Sequence, residues 1–99
     1  MASLPLLKES LGQVIRTLRF RAGYSQERFA AVIKRHRTYM GLLERGKANP
    51  TLKTLHMVAE GLRVNVPQLF ALTEAAETEA LRQPSTSTAK ESSRTRRRR

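Results

Sequence analysis

The sequence predicts an all-α fold, five helices in one small bundle followed by a basic tail. Three observations carry that reading. No run alternates apolar and polar residues with a period of two, and with only 2 Tyr and 3 Phe there is little to build strands from. Apolar residues recur instead at steps of three and four between residues 8 and 72. The breaks between these runs carry helix punctuation, Gly after an end and Ser or Thr before a beginning.

The elements follow in order. Leu11, Val14, Ile15 and Leu18 form one stripe on helix one, which Ala22-Gly23 closes. Ser25 caps a second helix over 26–33 with Phe29, Ala30 and Ile33 inward. Lys34-Arg35 is a turn. A third helix spans about 37–45, with His36 near its cap, Met40 and Leu43 inside and Gly46 after its end. Asn49-Pro50 marks a loop, and Thr51 caps a fourth helix that sets Leu52, Leu55, Val58, Ala59 and Leu62 on one face. A turn at 63–65 leads to a short fifth helix with Val66, Leu69 and Phe70, where Pro67 is tolerated in the first turn.

These elements define a domain over 8–75. Residues 76–83 end the last helix or link it onward, and 84–99 form a tail, PSTSTAKESSRTRRRR. The tail has no large apolar residue, cannot offset its chain entropy by burial and is expected to be disordered. It is either a non-specific arm for a polyanion or without a role.

The charge points to the partner class. The chain carries 19 Lys and Arg against 8 acids, all Glu, for a net charge of +11. The tail holds six basic residues and one acid, so residues 1–83 are themselves basic, with thirteen against seven. Such a surface suits nucleic acid first and an anionic membrane second. Several chemistries are excluded or disfavoured. With no Cys there is no disulfide, thiolate zinc site or Cys nucleophile. His36 and His56 lie far apart in a chain without Asp, a poor metal-ligand set, so no metal and no cofactor are expected. No carboxylate pair, Cys–His set or phosphate-binding Gly-rich loop appears, so an enzyme is not expected. The start, MASLPLLKES, lacks the features of a signal peptide, and no apolar run is long enough to span a membrane, so a cytoplasmic protein is expected.

The second helix, the turn and the third helix make a helix-turn-helix arrangement. The stretch SQERFAAVIKRHRTYMGLLERGKANPTL resembles the phage-repressor-like (Cro/C1, or Xre) helix-turn-helix family. The features in common are Ser25-Gln26-Glu27, Phe29-Ala30, Ile33, Met40, Leu43, Glu44-Arg45-Gly46, Asn49-Pro50-Thr51-Leu52, and Leu18-Arg19 upstream. The resemblance covers residues 11–70 and implies a lambda-repressor-like five-helix bundle. Within it, HRTYMGLLERG is most similar to controller proteins of restriction–modification systems and related regulators on mobile elements. The sequence departs from the family at Lys34, where Gly is usual, and at Arg35, where a small buried apolar residue is usual. A buried charge at Arg35 would be costly, so its side chain must reach outward or the turn must differ.

The resemblance implies a transcriptional regulator that binds double-stranded DNA as a dimer on a (pseudo)palindromic operator, with half-sites about 34 Å apart. The third helix would enter the major groove. Arg37 can bond a guanine at two acceptors, Thr38 offers a hydroxyl and a methyl, Tyr39 can meet the sugar–phosphate edge and Leu42 a thymine methyl, while Gly41 leaves room for close approach. Gln26 would face a phosphate at the start of helix two, with Ser25 as its cap. Lys34, Arg35, Arg45, Lys47 and Asn49 would hold the backbone, and His36 either bonds a phosphate or serves as a cap. Arg19 and Glu44 occupy positions that form a structural ion pair in the family. Met57, Val66, Leu69 and Leu72 are the candidate dimer contacts. The alternative is an antitoxin or repressor module that also binds a partner or antagonist protein, through helices four and five.

Overall fold

The structure, a computed structural model, describes residues 3–82. It contains five helices: α1 (Leu4–Arg21), α2 (Gln26–Val32), α3 (Arg37–Glu44), α4 (Leu52–Gly61) and α5 (Val66–Leu81). The expectation of disorder over 84–99 lies outside the described residues. Among the described residues, no helix is long and apolar enough to cross a membrane.

Each helix begins at a side-chain cap. Ser3, Ser25 and Thr51 accept the backbone N–H three residues on, and His36 does so two residues on. Asn65 and Gln68 make a reciprocal capping box, with both bonds at 2.8 Å. A cap of this kind stabilises a helix start by about 1 kcal/mol, a useful amount in a domain with short helices. Ser3 moves the start of α1 to Leu4, ahead of the boundary expected at residue 8. At the other end, α5 is not short. It runs 16 residues to Leu81, so residues 76–81 belong to the helix.

The first four helices end alike. After each, the N–H groups of two successive residues bond back to carbonyls of the last turn. Arg35 N–H, for example, reaches the Ala30 carbonyl at 2.9 Å, and Lys34 N–H the Ala31 carbonyl at 3.2 Å. This double closure requires one residue in the left-handed region. Gly23 and Gly46 supply it after α1 and α3, but Lys34 (φ 58°) and Arg63 (φ 63°) supply it after α2 and α4. A side chain there costs about 1–2 kcal/mol. The family-like turn geometry is therefore kept despite Lys34, at a local cost.

The core joins all five helices around Leu11 and Ile15, Phe29 and Ile33, Met40 and Leu43, Leu55, Val58 and Leu62, and Leu69. Phe29 is fully buried, with the Tyr24 ring edge-on at a centroid distance of 5.3 Å. Val14 and Leu18 sit half-buried at its margin. Two expectations are corrected. Leu52 is 74% exposed, because the first residue of α4 precedes the turn that packs inward. Leu69 is wholly buried and belongs to the chain's own core, so it is not available as a dimer contact.

The placement of α3 rests on Gly12 of α1. A Cβ there would press on the Glu44 carbonyl and lie 2.6 Å from the Leu43 carbonyl oxygen. Only a residue without a side chain lets the two backbones approach this closely.

Candidate nucleic-acid interface

The site is built on α2, the Lys34-Arg35 turn and α3. Along α3, Met40, Leu43 and Glu44 face inward and are buried. The 3.6-residue period then turns Thr38, Leu42 and Arg45 to the other side, while Arg37, two turns before Glu44, is exposed because it opens the helix. Thr38 and Arg45 are exposed there and Leu42 is half-buried. Tyr39 lies at the edge of this face, half-buried against the core. The structure thus brings together Arg37, Thr38, Tyr39 and Leu42 on one short helix that begins in solvent.

The flanking residues add positive charge. Lys34 and Arg35 precede α3, and Arg45 and Lys47 follow it, all exposed, with Asn49 exposed in the loop to α4. His36 caps α3 through Nδ1, which accepts the Thr38 N–H at 3.1 Å. At Gly41, a Cβ would come 3.2 Å from Arg45 Nη1 and 4.0 Å from Gln26 Oε1. The space at Gly41 therefore holds the Arg45 guanidinium beside Gln26.

Beneath this face lies a buried polar network. Arg19 Nε donates to Glu44 Oε2 at 2.6 Å and Arg19 Nη2 to Glu44 Oε1 at 3.0 Å, a two-point pairing with both side chains nearly fully buried. Arg19 Nη1 donates to the Tyr24 carbonyl at 2.8 Å. Gln26 Nε2 donates to Glu44 Oε1 at 3.0 Å, so the amide expected to face a phosphate is turned inward and ties the start of α2 to the end of α3. The Phe20 ring lies against two guanidinium groups, that of Arg19 at 4.8 Å and that of Arg16 at 5.5 Å from its centroid.

Sequence reasoning missed one connection. Arg35 neither lies buried nor simply points to solvent. Its Nη2 donates to Thr54 Oγ1 on α4 at 2.8 Å, and its guanidinium lies 5.7 Å from the Tyr39 ring centroid. The departure from apolar character at position 35 was the available signal.

Of the expected dimer residues, Met57 and Val66 are half-buried and Leu72 is 44% exposed. Leu72 lines a shallow groove with Val14, Leu18 and Ala76, between α1 and α5. His56 is exposed and lies 3.7 Å from the Glu60 carboxylate, within its own helix. Among the described residues, no three His, Asp or Glu side chains gather as a metal site would require.

Comparison with known proteins agrees with this architecture. Residues 10–72 match the helix-turn-helix domain family. The control protein C.SmaI of Serratia marcescens is 41% identical over 64 residues, 65% of this chain and 76% of that protein. The controller protein C.Esp1396I, solved as a tetramer in complex with its natural 35 base-pair operator, superposes with a TM-score of 0.65 at 29% identity, covering 73% of this chain and 95% of that one. The clp gene regulator ClgR from Corynebacterium glutamicum shares the fold, with a TM-score of 0.79 at 24% identity over 92% of this chain and 97% of that one.

Proposed function

The chain belongs to the helix-turn-helix domain family that includes these control proteins, and from that premise we propose that it is a sequence-specific, DNA-binding transcriptional regulator of the restriction–modification controller type. The observation that carries the proposal is the outer face of α3. Thr38 and Leu42 emerge opposite the side that is locked into the core, and Arg37 stands exposed at the helix's first residue, so their positions relative to the scaffold are fixed before any ligand arrives. Such a helix fits the major groove, where base edges carry a full donor and acceptor code.

Each element has a part in this reading. Arg37 makes a two-point contact with a guanine, Thr38 and Leu42 meet thymine methyl groups, and Tyr39 approaches the sugar–phosphate edge. Lys34, Arg45, Lys47 and Asn49 neutralise or bond phosphates on either side. His36 caps α3 with one nitrogen and has the other free for a phosphate. Two copies act together, joined through Leu72 with Met57 and Val66, and read two half-sites one helical turn apart, about 34 Å.

The test is selection from random genomic fragments at moderate salt, with the retained DNA sequenced. An enriched palindrome with half-sites one turn apart is expected. Broad retention without a shared sequence would overturn the proposal and leave a charge-driven binder.

A further inference from the structure

Arg35 departs from the apolar character that the end of such a turn favours, and the structure gives it specific partners. It is the third residue past the end of α2, the place where a helix closure of this type usually sets an apolar side chain against its last turn. Of the residues in the equivalent places, Tyr24 after α1 and Val64 after α4 pack on the core, and Lys47 after α3 is exposed. Arg35 instead sends its side chain across to α4. Nη2 donates to Thr54 Oγ1 at 2.8 Å, and Thr51 donates to the same oxygen at 3.0 Å. Thr54 is 1% exposed, so these are partners for a hydroxyl that water does not reach. Thr51 in turn caps α4 by accepting the Thr54 N–H. The same guanidinium lies 5.7 Å from the Tyr39 ring centroid, inside the range of about 6 Å for attraction to an aromatic ring.

From this geometry we infer that Arg35 is a positioning residue: it clamps the Tyr39 ring of α3 to the capped start of α4 and so sets the pose of the recognition helix against the loop that follows it. The inference rests on the DNA-reading proposal and revises it, because Arg35 would otherwise count among the phosphate contacts. A planar guanidinium can bond Thr54 along one edge while presenting itself to the ring, whereas a lysine ammonium offers no such plane. A phosphate contact makes a different demand, since either cation meets it.

Two measurements test the clamp together. In the free protein, the Tyr39 ring resonances are followed by NMR in R35M, R35K and T54V. The first variant restores the apolar character that such turns favour and T54V leaves Arg35 intact, so the test does not depend on a single variant that might fail to fold. All three are expected to shift the ring signals, and unmoved signals in R35M would overturn the clamp. In DNA binding, R35M and R35K are each expected to lose about two- to thirtyfold in affinity on the selected sequence, the range for substitutions that act without touching the ligand. The salt dependence should stay as in the wild type, and the loss should vanish when Tyr39 is already Ala. Wild-type binding by R35K, with R35M weakened equally on all DNA and a salt slope lower by about one, would identify a phosphate contact instead. Failure of the wild type to select any sequence would sink the functional proposal, and the ring resonances would still decide the clamp.

Discussion

Replacing Glu44 by Ala tests the framework on which the reading helix sits. The carboxylate accepts two bonds from Arg19 and one from Gln26. Its removal leaves a guanidinium that is 4% exposed with the Tyr24 carbonyl as its remaining hydrogen-bond partner, and frees the Gln26 amide. Breaking a buried pair from one side costs about 3–5 kcal/mol. A domain of this size, at about 0.05–0.15 kcal/mol per residue, has only about 4–12 kcal/mol in total. The variant should lose about a quarter of its stability or more, and its urea midpoint, followed by helical circular dichroism, should fall by about 1 M or more. The paired replacement R19M/E44L removes both charges. It should return to within about 1–2 kcal/mol of the wild type, since replacing a whole buried pair by apolar groups is often neutral and, beyond the pair itself, the bonds lost are those from Arg19 to the Tyr24 carbonyl and from the half-buried Gln26 amide to Glu44. A single variant within 1 kcal/mol of wild type, on the scale of an exposed pair, would refute the reasoning, as would a double variant as unstable as the two single losses added.

Four further outcomes follow from the geometry. Lys34→Gly should stabilise the protein by about 0.5–1 kcal/mol, the relief of a left-handed side chain less the entropy that Gly adds to the unfolded chain; a lower melting temperature would count against the φ of 58° at that turn. Gly12→Ala should destabilise it by about 1–3 kcal/mol, because the new methyl group meets backbone carbonyls that cannot move aside alone; an unchanged urea midpoint would mean that α1 and α3 are less tightly apposed. Arg37→Ala should cost about 1–3 kcal/mol on the selected sequence and relax one base position, while Lys47→Ala should weaken all sequences alike and lower the salt slope by about one; equal losses on selected and random DNA for Arg37→Ala would remove its base-reading role.

What the sequence made legible was local. Ser25 and Thr51 announce helix starts, Gly23 and Gly46 announce ends, and the apolar spacing marks Phe29, Ile33, Met40, Leu43 and Val58 as core. What escaped depended on partners distant in the chain. Leu69 and Leu72 lie on the same apolar-looking helix, and only the packing of α5 across α1 buries one and exposes the other. Leu52 shares the helical spacing of Leu55 but stands before the turn that reaches the core. The end of α5 carries no Gly or Pro before Pro84, so nothing local fixes its length. Gln26 was legible as a polar residue at a helix start, but its amide turns to Glu44, and that choice depends on where α3 ends.

The same distinction explains how a short reading helix holds its pose. At 8 residues, α3 is too short to be stable alone in water, where about 12–15 are needed even for favourable sequences. Its geometry has to be imposed from outside. At its C-terminal end α1 supplies two constraints: the backbone approach at Gly12 and the Arg19 pairing with Glu44. At its N-terminal end are the His36 cap and the Arg35 contact with Tyr39. The outward face of α3 takes part in none of the α1 constraints. Arg37 and Thr38 can therefore be exchanged without disturbing the scaffold, whereas substitutions at Gly12 or Arg19, which lie outside the reading face, should weaken DNA binding by tilting the helix or loosening it.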